Sequence, residues 1–171
     1  PDFTGAVDNP SVEGMRIAWS PSMDDQPIEP EVRALTTHAM LQFESMGADI
    51  EETMPPVTTG DAIWTFVTLM HTDLALTLSP AIETGQGDFL PSQLLRWITE
   101  ALRWPASRYS QAMRQLEWHR HWFDCFFDDY DLLAMPTVAT TAFAIDRNPR
   151  TIDGREVHPA WGFTSFCLHA N

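Results

Sequence analysis

Apolar positions along this chain change period four times, and the changes mark out its elements. Met15-Arg16-Ile17-Ala18-Trp19-Ser20, between Gly14 and Pro21, reads as a short buried strand. Asp24-Asp25-Gln26-Pro27 reads as a turn. Pro30 then suits a first helical position, with Glu31 near the positive helix end. Val32, Leu35, Ala39, Phe43 and Met46 follow at steps of three or four and predict one apolar helix face over 30–46. Gly47 is a natural stop. Ala48-Asp49-Ile50-Glu51-Glu52 alternates like a half-buried strand. Strand, helix, strand in that order suits a right-handed βαβ unit with parallel strands.

From Thr59 to Tyr130 the period is helical. Asp61 is placed to cap a helix carrying Ile63, Val67, Met70 and Leu74 on one face, and Gly85-Gln86-Gly87 breaks it. A second helix is expected from Pro91 to Arg103. Ser107 is placed to cap a third, with Ala112, Leu116, Phe123 and Phe127 on one face. Asp131-Leu132-Leu133-Ala134-Met135-Pro136-Thr137 reads as a third strand, and the Pro-, Gly- and polar-rich stretch to His158 as loop. The fold class expected is α/β: a three-stranded parallel βαβ unit, first strand central, with a helical insertion over 59–130 before the third strand. One α/β domain is expected to span 1–171. An insertion of that length is rarely only a connector.

Composition narrows the function. The chain has 171 residues and a net charge of −14, which opposes direct nucleic-acid binding because phosphate backbones need a cationic face. No apolar run is long enough to span a bilayer, and two isolated cysteines without a CxxC pair lead to the expectation of a reducing, cytoplasmic location. All ten basic residues are arginine, so any mechanism needing a lysine base, Schiff base or phosphate-binding lysine is excluded within the chain. The absence of lysine also argues against a receiver-type signalling domain. Cys125 and Cys167 stand apart and read as buried reduced thiols.

Two constellations suggest chemistry at first sight. His119, His121 and Asp124 resemble a metal set, but residues two apart on a helix point to different sides, so no metal site is assigned. His71 and Asp73 lie near Thr68 and Thr72, yet nothing presents a nucleophile on a strained turn. No catalytic residue, metal or cofactor is therefore assigned. Trp64, Trp97, Trp104, Trp118, Trp122 and Trp161 all fall in or after the insertion, as core or as an aromatic-lined cleft.

Four stretches, in order, resemble the C-terminal part of amidase-signature enzymes. Gly14-Met15-Arg16-Ile17-Ala18-Trp19 is similar to that family's "GLRIAW" strand. Pro30-Glu31-Val32-Arg33-Ala34, then Phe43 to Ala48, resembles a helix opening on "PEVR" and closing on "LGA". Tyr130 to Thr137 followed by Ala142-Phe143 resembles "YDLLLTPT…AF". Ile152-Asp153-Gly154-Arg155 with Trp161-Gly162-Phe163-Thr164 resembles "IDGR…W…FT".

The resemblance implies amide hydrolysis through a Ser-Ser-Lys triad with a Gly/Ser-rich oxyanion loop. No Lys and no Gly-Gly-Ser-Ser run is present, so the triad would lie upstream of Pro1, and the family's last strands beyond Asn171. The chain is thus expected to be a fragment, inert alone, of a parent acting on a small-molecule amide. The A subunit of glutamyl-tRNA(Gln) amidotransferase resembles this region too. His71-Thr72-Asp73-Leu74-Ala75-Leu76 stands where that protein usually carries "S-N-L…D-G", which favours a general amidase. A free-standing α/β interaction domain explains the missing triad equally well.

Ligands of open α/β sheets gather outside the carboxyl ends of strands, here Thr137. With Trp64 and Phe66 from the insertion and Phe163 and Thr164 from the tail, this gives the expected substrate-pocket set. Cutting such a fold would leave an open strand edge and apolar surface, so the isolated chain is expected to self-associate.

Overall fold

Ile17, Ala18 and Trp19 are all buried, as a strand covered on both faces requires, and they belong to β1 (Arg16–Trp19). The structure, a computed structural model, describes Gly5 and residues 10–169. β2 (Asp49–Glu52) and β3 (Leu132–Ala134) flank β1, both parallel to it, in the order β2-β1-β3. Register pairs Ile17 with Ile50 on one side and with Leu132 on the other. The ladder extends past the strand ends, Thr53 N–H donating to Trp19 O at 3.0 Å and Ser20 N–H to Ala134 O at 2.9 Å. The parallel, β1-centred sheet expected from the sequence is therefore present.

The described chain divides into two compact units, residues 1–59 with 122–171, and residues 60–121. In the first, the α/β unit, α1 (Pro30–Ser45) opens on Pro30 and is followed by Gly47 at φ +95°. The expected apolar face is corrected here. Met40 is the α1 residue that is buried, packing with Ile17, Trp19 and Ala48. Val32 is half-buried, while Leu35 and Met46 are 63% and 55% exposed and Ala39 and Phe43 are also exposed. The helix rests on the sheet through a narrow line of contact, and the rest of its apolar stripe forms an open patch.

A second core gathers Met23, Ile28, Ala139, Ile152 and Phe166, with Val32, Met135 and Phe163 against it. The turn that feeds it is left-handed over three successive residues, Met23, Asp24 and Asp25, at φ +34°, +53° and +53°. Each is held by other parts of the unit. Met23 is buried, Asp24 Oδ2 accepts from Thr59 N–H at 3.2 Å, and Asp25 O accepts from Arg155 Nη1 at 2.8 Å. The stretch read as loop contains a small antiparallel hairpin, β4 (Thr151–Ile152) and β5 (Arg155–Glu156). Its turn is Asp153-Gly154, both at positive φ, which suits a two-residue hairpin. Two-residue strands are too short to show alternation, so no period announces them.

The helical unit holds most of α2 (Thr59–Glu83), α3 (Ser92–Ala101) and the first part of α4 (Ala106–Asp129). The two residues expected as caps lie inside their helices. Asp61 sits in the first turn of α2, and the Thr59 amide at its start donates to the distant Asp24 carboxylate. Ser107 lies inside α4, which begins directly after Pro105. The most buried stripe of α2 is Ala62, Thr65, Thr68, His71 and Ala75, while Ile63, Val67, Met70 and Leu74 are only half-buried. Small residues allow close approach, so packing chose a different face from hydrophobicity. On α4, Ala112 is buried, Leu116 and Phe123 half-buried and Phe127 exposed. Ala75, Ile98 and Ala101 form the core of this unit, with Leu74, Leu78, Ile82 and Leu94 around it.

Candidate functional site

β1 and β3 both end beside a groove of about 550 Å³ in the α/β unit. Trp19 and Ala134 bring the strand ends to it, Met40 lines it from α1, and Pro136, Thr137 and Phe166 come from the connections. The loop after β3 is fixed by a chain of backbone bonds. Glu29 N–H donates to Ala139 O at 2.8 Å, and Ala139 N–H donates to Phe163 O at 2.9 Å. Cys167 Sγ donates to Thr137 O at 2.8 Å. The Glu29 carboxylate accepts from Thr141 N–H at 3.0 Å and Thr141 Oγ1 at 3.3 Å. The Thr140 hydroxyl and then the Thr141 amide hold that carboxyl below the usual carboxylate range.

Chemically, the groove suits an apolar group. Its Thr36 hydroxyl already donates to Val32 O at 2.8 Å, and Cys167 is the one titratable side chain in its described lining. That described lining offers no acid–base pair and no amine.

Of the residues expected around a pocket, the α/β unit contains Thr137, Phe163 and Thr164. Thr137 is exposed on the groove wall. Phe163 packs on the Phe166 core and meets Phe143 edge-to-face at 5.0 Å. Thr164 Oγ1 donates to Trp161 O at 3.3 Å, which ties it to its own turn. Trp64 and Phe66 are half-buried in the helical unit, where the Arg108 guanidinium lies 5.6 Å from the Trp64 ring centroid.

The Thr-His arrangement around residue 71 forms no catalytic pair. Thr68 Oγ1 accepts from Arg108 Nε at 3.2 Å, Thr72 Oγ1 donates to Thr68 O at 2.7 Å, and His71 bonds neither hydroxyl. His119 is buried and takes a bond from the Gln115 amide at 3.3 Å, whereas His121 is exposed. The expectation of buried thiols is corrected: Cys125 is exposed on α4, and Cys167 is half-buried at the groove. Sequence reasoning missed Trp19, Met40 and Phe166 as groove walls. Trp19 carried a signal, being a large side chain at the carboxyl end of the central strand.

The chain is 29% identical over 157 residues to the acylamidase of Rhodococcus erythropolis, covering 88% of this chain and 29% of that protein. It is 26% identical over 168 residues to the A subunit of glutamyl-tRNA(Gln) amidotransferase from Latilactobacillus sakei subsp. sakei (strain 23K), covering 85% of this chain and 34% of that one. It thus spans about a third of the length of these relatives. Among solved structures, a bacterial aryl acylamidase of the amidase signature family superposes with a TM-score of 0.81 at 21% identity, over 99% of this chain and 37% of that one. A 6-aminohexanoate cyclic dimer hydrolase superposes at 0.70 and 15% identity, over 92% and 36%. Both share the fold. The Amidase family model matches residues 4–171, and the chain belongs to the Amidase family.

Proposed function

We propose that this chain is the C-terminal, non-catalytic part of an amide hydrolase, in which an upstream Ser-Ser-Lys triad cleaves the bond. The observation that carries this reading is chemical. A family member without a single lysine, whose strand-end groove holds no acid–base pair in its described lining, has the wall of a site without its reacting groups. The span of about a third of its relatives supports the same assignment. In this role the groove takes the apolar acyl or aryl part of a small-molecule amide. Thr137 sits at its rim, with Phe163 and Thr164 behind the loop that shapes it. Selectivity is then set by size, worth roughly 1–3 kcal/mol per methylene-scale misfit. The general amidase is preferred to the tRNA-linked enzyme on the charge of −14 and on the sequence at 71–76.

The test uses a full-length enzyme carrying this segment. Phe163→Ala and Thr137→Val are assayed on amides with small and bulky acyl groups, and Trp64→Ala and Phe66→Ala probe the helical unit in the same way. Thr137 on the groove wall changes the ratio of kcat/KM between small and bulky amides at unchanged Tm, and Phe163, packed on the core behind it, changes that ratio together with a lowered Tm. Equal losses for all amides with a lowered Tm would contradict the assignment.

A further inference from the structure

The proposed function makes no use of His71, although its surroundings are unusual. Its side chain sits in α2 at 4% exposure. The ring stacks on Trp97 at 4.9 Å between centroids, tilted 21°, and on Trp104 at 5.8 Å, tilted 17°. Among the described residues, neither Nδ1 nor Nε2 has a hydrogen-bond partner. The Arg108 guanidinium lies 3.8 Å from the Trp104 ring centroid and 5.6 Å from that of Trp64, and its Nε donates to Thr68 Oγ1 at 3.2 Å. Trp97, His71, Trp104, Arg108 and Trp64 thus join α2, α3 and the start of α4 into one stack of flat groups.

We propose that His71 is a proton-operated latch: its neutral ring holds α2, α3 and the start of α4 together, and protonation releases that packing reversibly.

An imidazolium carries two N–H donors, and this site gives neither an acceptor. Burial penalises the charged form and moves the group below its ordinary range. Two charged groups act on it: Glu100 from α3 opposes that shift, and Arg108 from α4 adds to it. Asp73, two positions away on α2, is exposed to solvent. Tryptophan faces attract cations, but Arg108 already supplies one to Trp104.

The sign follows from linkage. The unfolded or opened ring titrates near 6.5 and the packed ring below it, so the packing is fully stable above about pH 6.5. It weakens as pH falls from there to the folded value, the opening constant rising up to about tenfold per pH unit in that window. His119 titrates in the same unit, also pushed down by burial, so the experiment must separate the two.

The experiment follows the imidazole nitrogens of the full chain by NMR from pH 8 to 4.5. Tryptophan fluorescence and amide exchange, corrected for intrinsic rates, are measured in parallel. The latch requires His71 to stay neutral below pH 6.5 and to protonate together with a reversible loss of protection in 62–75 and 92–104. His71→Phe keeps a flat ring and removes the proton site, and should abolish the transition. Protonation of His71 at or above pH 6.5 would overturn the proposal, as would protonation without loss of protection. A transition that persists in His71→Phe would overturn it too. Should that variant fail to fold, the wild-type nitrogen titration decides alone.

Discussion

Asp24 is expected to stabilise the α/β unit through two separable effects, and three substitutions divide them. Its carboxylate accepts from the amide of Thr59, a buried residue at the start of α2, across 35 positions of sequence. Its backbone sits at φ +53°, where Asp, Asn and Gly are tolerated and other side chains are strained. Loss of a capping oxygen costs about 1 kcal/mol. Placing a plain side chain in the left-handed region costs about another 1 kcal/mol. Asp24→Ala loses both and should cost about 2 kcal/mol. Asp24→Gly keeps the backbone and loses the cap, for about 1 kcal/mol. Asp24→Asn keeps an acceptor and the backbone, and should stay within about 0.5 kcal/mol of wild type. Urea denaturation followed by circular dichroism gives the order, and exchange of the Thr59 amide reports the cap locally. Equal effects for Ala and Asn, or unchanged Thr59 protection in Asp24→Gly, would refute this account of the turn.

A Cβ built on Gly162 would lie 2.5 Å from Val157 Cβ, so Gly162→Ala should lower stability by about 1–3 kcal/mol in thermal unfolding, and Val157→Gly, which removes that Cβ, should partly rescue it. The Glu29 carboxyl is held below its ordinary value, so its contribution is complete above about pH 4.5 and is lost as pH falls through the lowered folded value. Glu29→Gln should flatten that part of an acid-denaturation curve. The open stripe of Leu35, Phe43 and Met46 on α1 and the outer edge of β3 should make the isolated chain sediment as dimers or larger species at micromolar concentration, and Leu35→Glu should shift it towards monomer.

The sheet was readable because its signals are local. An unbroken buried run at Ile17-Ala18-Trp19, a proline opening α1 and a glycine ending it place two strands and a helix without reference to the rest of the chain. What escaped the sequence depends on distant partners. The Asp24 carboxylate reaches Thr59 only after the left-handed turn has formed, so the nearer Asp61 was the natural reading. The buried face of α2 is built from Ala62, Thr65, Thr68 and Ala75, whose value lies in small size, and a hydrophobic period points elsewhere. Thr137 was legible at the groove because strand ends gather ligands, whereas Phe166 and Cys167 reach it from a short helical turn with no period to announce them.

The proposed division of labour between this segment and an upstream triad is tested most directly by turnover. Purified chain, alone and as part of a full-length enzyme bearing the Ser-Ser-Lys groups, is incubated with a panel of aryl and aliphatic amides while ammonia and amine release are followed. The account predicts release from the full-length enzyme and none above background from the chain alone. Amide cleavage that follows the pure chain through successive purification steps would contradict it.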